Sequence, residues 1–129
     1  MTSKISVRVD NDSAALDHRA DRIMREYAHD VEREVSDFAH GQILKELDLV
    51  LKHPTGYYES RVRVRQVGDL FQVDDSGVVY GPWLAGESER NRETRFKGYR
   101  HWQLAQANTD RAAEPIAEQA FRKYARRLS

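Results

Sequence analysis

From Ser13 to Leu51 the chain contains no proline, and this stretch limits the fold more than any other feature of the sequence. Its apolar positions Leu16, Ile23, Met24, Tyr27, Val31, Val35, Phe38, Leu44, Leu47 and Leu51 recur at steps near three and four, with mostly charged residues between them. That spacing predicts one long amphipathic helix. Asn11, Asp12 and Ser13 offer side-chain oxygens that can cap its first N–H groups. At 1.5 Å per residue such a helix would be roughly 58 Å long. A compact domain of 129 residues has a radius of gyration of roughly 14 Å and a diameter of about 36 Å. The helix is therefore expected either to break, with Gly41 as the weak point, or to project a stripe that a partner subunit covers.

The remaining chain reads as strands followed by helix. Ile5, Val7 and Val9 alternate with polar residues, as in a strand buried on one face. His53-Pro54-Thr55-Gly56 stops the long helix. Tyr58, Val62 and Val64 then share one strand face, with Glu59, Arg61, Arg63 and Arg65 on the other. Gly68-Asp69 turns into Leu70–Val73, and Asp74-Asp75-Ser76-Gly77 turns into a third strand, Val78–Tyr80. Gly86 to Arg95 reads as a mobile, charged surface loop. From Tyr99 onward the pattern is helical to the end, interrupted or kinked around Asn108 to Pro115. The expectation is one α+β domain over residues 1–129: an N-terminal strand, a long amphipathic helix, an antiparallel β-meander, and a C-terminal helix packed on the sheet.

Charge and composition narrow the function. Lys plus Arg total 21 and Asp plus Glu total 21, so no net charge favours nucleic acid or an anionic membrane. The balance is uneven along the chain. Asp10 to Leu51 holds eleven acidic and five basic residues, whereas Lys52 to Ser129 holds fourteen basic and ten acidic. Copies could therefore pack head to tail with unlike charges facing. The absence of cysteine rules out disulfides, thiolate catalysis and cysteine-ligated metals. No apolar run is long enough for a membrane span, and Met1 to Val7 alternates in polarity instead of forming a signal core, so a soluble, non-secreted protein without membrane association is expected.

Signals for chemistry are weak. His18, His29 and His40 align on a helix but stand about 16 Å apart along its axis, beyond the reach of one ion. Asp30, Glu32, Glu34 and Asp37 point to several sides of that helix. Nucleophile-elbow, Walker and dinucleotide motifs are missing. No enzyme activity, cofactor or metal is expected, and a Mg²⁺-dependent nuclease built on Asp74, Asp75 and Glu87 is the remaining catalytic reading. Arg61, Arg63 and Arg65, with Arg90, Arg92, Arg95, Lys97 and Arg100 and the rings of Phe96, Tyr99 and Trp102, could hold phosphate and bases. The same mixture is enriched at protein interfaces. A small nucleic-acid-binding regulator using the Arg61–Arg65 strand and the Arg90–Arg100 loop is the alternative function.

The run Tyr80-Gly81-Pro82-Trp83-Leu84-Ala85-Gly86-Glu87, followed by Asn91-Arg92 and Phe96-Lys97-Gly98-Tyr99 before a terminal helix, resembles the tail-completion or neck proteins of long-tailed bacteriophages. The resemblance extends from Tyr57 to Ala125. It implies a structural virion protein of the neck or tail, assembled in the bacterial cytoplasm as a hexameric or dodecameric ring. Such a ring would meet neighbouring neck, portal-side or tail-tube proteins and let DNA pass through its lumen. It also implies that Tyr80, Pro82, Trp83 and Leu84 pack the strand end against the helices and that Arg90 to Lys97 form a loop reaching a neighbouring subunit or ring. The expected subunit or ring contacts are then Tyr80, Trp83, Leu84, Glu87, Arg90, Arg92, Arg95, Phe96 and Tyr99, with Arg61, Arg63 and Arg65 as the candidates to face DNA. Where the family often has a glutamate soon after the aromatic, this chain has Ala85-Gly86-Glu87, and its loop carries more charge.

Overall fold

The computed structural model describes residues 4–9, 18–51, 56–68 and 70–128. The expected caps Asn11, Asp12 and Ser13, and His53, Pro54 and Thr55 of the helix stop, lie outside them. The chain is α+β. Strand β1 (Lys4–Val7) precedes helix α1 (His18–Val50), and a short helix α2 (Tyr57–Arg61) leads into β2 (Arg63–Val67) and β3 (Leu70–Asp74). Two short helices, α3 (Gly81–Ala85) and α4 (Glu89–Glu93), then connect to α5 (His101–Leu128).

Helix α1 is unbroken over 33 residues, about 50 Å, and passes through Gly41. The expected break is absent, and so is the expected uncovered stripe. Its buried positions Ile23, Ala28, Val31, Val35, Ala39, Ile43 and Leu47 settle into steps of four and are covered by the chain itself. The cover is α5, which runs antiparallel along α1: Arg127 pairs with Glu26 at 2.6 Å, Tyr27 donates to the Ala117 carbonyl at 2.9 Å, and Asn108 donates to Gln42 at 3.0 Å. The 36 Å sphere was the wrong shape to assume, because two long antiparallel helices bury each other in an elongated body. Helix length therefore no longer argues for a partner. Helix α5 also runs through Pro115, so the C-terminal helix is not interrupted there.

The sheet has the order β1-β3-β2, antiparallel throughout. Ile5 and Val64 both stand opposite Val73, which makes one apolar row facing the helices. On the other face Lys4 and Arg63 flank Asp74, and Ser6 and Arg65 flank Gln72. Both sides of β3 are thus occupied, so Val78–Tyr80 cannot pair with the strand before it and forms a turn instead of the expected meander strand. Residues 57–61 also depart from expectation. Tyr58 and Val62 are i and i+4, a spacing that suits helix as well as strand, and both are buried on the inner side. The Ser60 N–H bonds the Gly56 carbonyl at 3.0 Å, and Gly56 has φ 83°, a left-handed conformation that glycine reaches without a Cβ clash.

The larger core gathers Ile5, Ala39, Ile43, Leu47, Val73 and Trp102 where sheet, α1 and α5 meet. A smaller one joins Val31, Val35 and Ala120 between the two long helices. Among the described residues, no helix is long and apolar enough to cross a membrane.

Candidate functional site

The aromatic–arginine segment is folded, not the mobile loop expected from its composition. Ser88 and Asn91 form a capping box: the Ser88 N–H donates to Asn91 Oδ1 at 2.9 Å, and Ser88 Oγ accepts from the first turn of α4. The Asn91 side chain is buried and donates from Nδ2 to the Trp83 carbonyl at 3.1 Å and to the Phe96 carbonyl at 3.0 Å. One amide therefore ties both ends of the segment to its middle. Lys97 Nζ donates to the Asn91 and Arg92 carbonyls at 2.9 and 3.3 Å, placing a cation against the last carbonyls of α4.

A second clamp is pure backbone. Gly86 and Gly98 approach so closely that a Cβ on Gly98 would stand 2.2 Å from Gly86 Cα, and both have positive φ. The Tyr99 N–H then bonds the Leu84 carbonyl at 2.7 Å. These contacts set Trp83, Phe96 and Tyr99 in a chain of rings with centroids 4.9 and 5.0 Å apart. The Arg90 guanidinium lies 5.6 Å from the Trp83 ring centre. Val79 is 95% exposed and Tyr80 43% exposed at the edge of this cap.

The residues expected at subunit contacts therefore divide. Tyr80, Trp83, Phe96, Tyr99 and Arg90 form the cap, with Arg92 and Arg95 exposed on it. Leu84 is half-buried against the larger core, and Glu87 accepts from Gln103 at 2.9 Å. The expected arginine strand is not assembled. Arg61 sits in α2, where its Nε is buried without a hydrogen-bond partner among the described residues. Arg63 and Arg65 do share the outer sheet face, where Arg63 Nε donates to the Ser60 carbonyl at 3.3 Å and Arg65 pairs with Asp74.

The carboxylates of the nuclease reading are engaged in structure. Burial works against ionised Asp74, but hydrogen bonds from Arg65, Gln72 and the Ser76 N–H outweigh it and hold the carboxyl below its usual range. Asp75 accepts from Tyr58 Oη and from the Gly77 N–H, both at 3.0 Å. Among the described residues, no group of three or more histidine or carboxylate side chains is arranged to hold a metal. Of the aligned histidines, His29 packs edge-on against Phe71 and His40 Nε2 meets the Val62 carbonyl at 3.0 Å.

Beneath the cap lies a buried polar chain that sequence reasoning missed. Trp102 Nε1 donates to Tyr58 Oη at 3.0 Å, which in turn donates to Asp75. Burial, and then the Asp75 charge, push the Tyr58 hydroxyl well above its usual range, so it stays a donor. His101 packs edge-on against Tyr58 with neither ring nitrogen hydrogen-bonded among the described residues, and burial pulls it down to about 4. Asn91 could have been found in the sequence, because Ser-x-x-Asn is a capping pattern; the Tyr58–Asp75–Trp102 chain spans 44 residues and leaves no local signal. No protein-family model, curated protein or solved structure matches the chain.

Proposed function

We propose that this chain is a structural joining subunit of a phage neck or tail, working as a ring through its surfaces and without turnover. The observation that supports the reading best is the prefolded cap. Asn91 and the Gly86–Gly98 contact hold three rings and an arginine in place, while Val79 and Tyr80 stand exposed beside them. A rigid aromatic surface with an arginine loses little entropy on docking, which is why such residues dominate interface energetics. The reading also rests on the sequence resemblance from Tyr57 to Ala125. Nucleic-acid regulation is the weaker alternative, since Arg61 is not on the strand and Arg65 is paired with Asp74.

Mass photometry and negative-stain microscopy across a concentration series test the proposal. Closed rings are expected, alone or when portal-side or tail-tube proteins are supplied. Monomers at every concentration, with those partners present, would refute it.

A further inference from the structure

Two surfaces at one end of the molecule differ in character and in charge. The first is the cap. Between Val79 and Arg100 it carries five basic and three acidic side chains around the half-buried rings of Trp83, Phe96 and Tyr99, with Val79 and Tyr80 exposed beside them. The second is the outer side of the C-terminal half of α1. Residues 34–50 hold Glu34, Asp37, Glu46 and Asp48 against Lys45 alone. Glu34, Asp37, Gly41, Lys45 and Asp48 follow one another at steps of three and four, so they line one exposed helix face. Apolar groups sit among these acids: Leu49 is 71% exposed, and Leu44 helps Lys45, Asp48 and Glu59 line an open groove of about 510 Å³. Gly41 presents bare backbone with nothing within 4 Å of a Cβ position, leaving the middle of the face flat.

We infer that the cap of one copy docks on this acidic, leucine-bearing face of α1 in the next copy. The inference rests on the ring reading and specifies its contact. The rings of the cap and the leucines of α1 supply apolar area, and Arg90 facing Asp48 or Glu59 selects the occupant. A second cap would bring basic surface against basic surface, and a second α1 face would bring acid against acid. Glu59 borders the groove and Tyr58, its neighbour in α2, packs 5.9 Å from Tyr80, so the two surfaces lie on either side of α2. Each copy thus offers both halves of a heterologous contact, the kind that propagates from subunit to subunit and closes into a ring when the rotation permits.

Because the chain has no cysteine, two single variants at exposed positions report the contact. Val79→Cys and Leu49→Cys proteins are mixed, treated with a short bismaleimide linker, and the joined peptides identified by mass spectrometry. Linkage of residue 79 to residue 49 is expected to exceed 79–79 and 49–49 linkage. Asp48→Arg in the Leu49→Cys copy should lower its yield at least about tenfold, and Arg90→Glu in the Val79→Cys copy should restore it. If mass photometry shows oligomers of the unaltered chain but the linkage is 79–79, 49–49 or absent, this contact is wrong and the ring reading survives. If the unaltered chain stays monomeric under all conditions, both fall.

Discussion

Replacing His101 by phenylalanine separates the chemistry of a buried ring from its shape. The imidazole is fully buried, and neither nitrogen is hydrogen-bonded among the described residues. A neutral ring left with an unpaired donor and acceptor costs about 1–3 kcal/mol of stability. Acid adds a second cost. The folded ring resists protonation until about pH 4, whereas in the unfolded chain it takes up a proton near 6.5. The unfolded state therefore binds more protons between these values. Stability falls as pH drops from about 6.5 toward 4 and loses nothing further from this group below that. The full difference is about 3 kcal/mol, of which roughly 2.5 kcal/mol is expressed by pH 4.5. Urea unfolding followed by the fluorescence of Trp83 and Trp102, at pH 7 and pH 4.5, measures both costs. His101→Phe is expected to unfold at higher urea than the native chain at pH 7, by about 1–2 kcal/mol. The gap should widen by roughly 2.5 kcal/mol at pH 4.5. Any misfit of the larger ring shifts both pH values equally, so the widening is the decisive quantity. Equal pH dependence in the two proteins would refute the reasoning.

Other substitutions test the remaining parts of the structure. Gly41→Ala, in mid-helix with free space around the new Cβ, should stabilise the chain by about 0.5–1 kcal/mol, read as a higher melting temperature in circular dichroism. Gly98→Ala meets Gly86 backbone at 2.2 Å with φ at +95°; a loss of about 2–4 kcal/mol is expected, with a changed Trp83 emission marking the cap as the site of damage. Asn91→Asp turns a carboxylate oxygen toward the Trp83 and Phe96 carbonyls that the amide now donates to, and should cost about 2–3 kcal/mol in denaturant titration, more than Asn91→Ser. Tyr58→Phe strands Trp102 Nε1 and one Asp75 oxygen in the core; a cost of about 2–3 kcal/mol is expected, and a neutral result would mean that the chain of hydrogen bonds contributes nothing.

What the sequence determined by itself was whatever repeats along the backbone. The three-and-four spacing of α1, the alternation of Ile5 and Val7, the apolar run of β3, the Asp74–Gly77 turn and the helical C-terminus each carry their signal within a few residues. The chemistry of the cap was legible too, in its rings and arginines, although its order was not, because the Ser88–Asn91 capping box and the Gly86–Gly98 contact outweigh the polarity that suggested a loop. Only the tertiary structure decided the rest. Tyr58 and Val62 fit two periods, and packing on α1 and α5 chose the helix. Val78–Tyr80 could have been a strand had β1, from the other end of the chain, not taken the open edge of β3. The stripe of α1 is covered by α5, which begins 51 residues after α1 ends. Local geometry is set by neighbours in the chain, but which surface is buried depends on which distant segment reaches it first in space, and no spacing within a single segment records that competition.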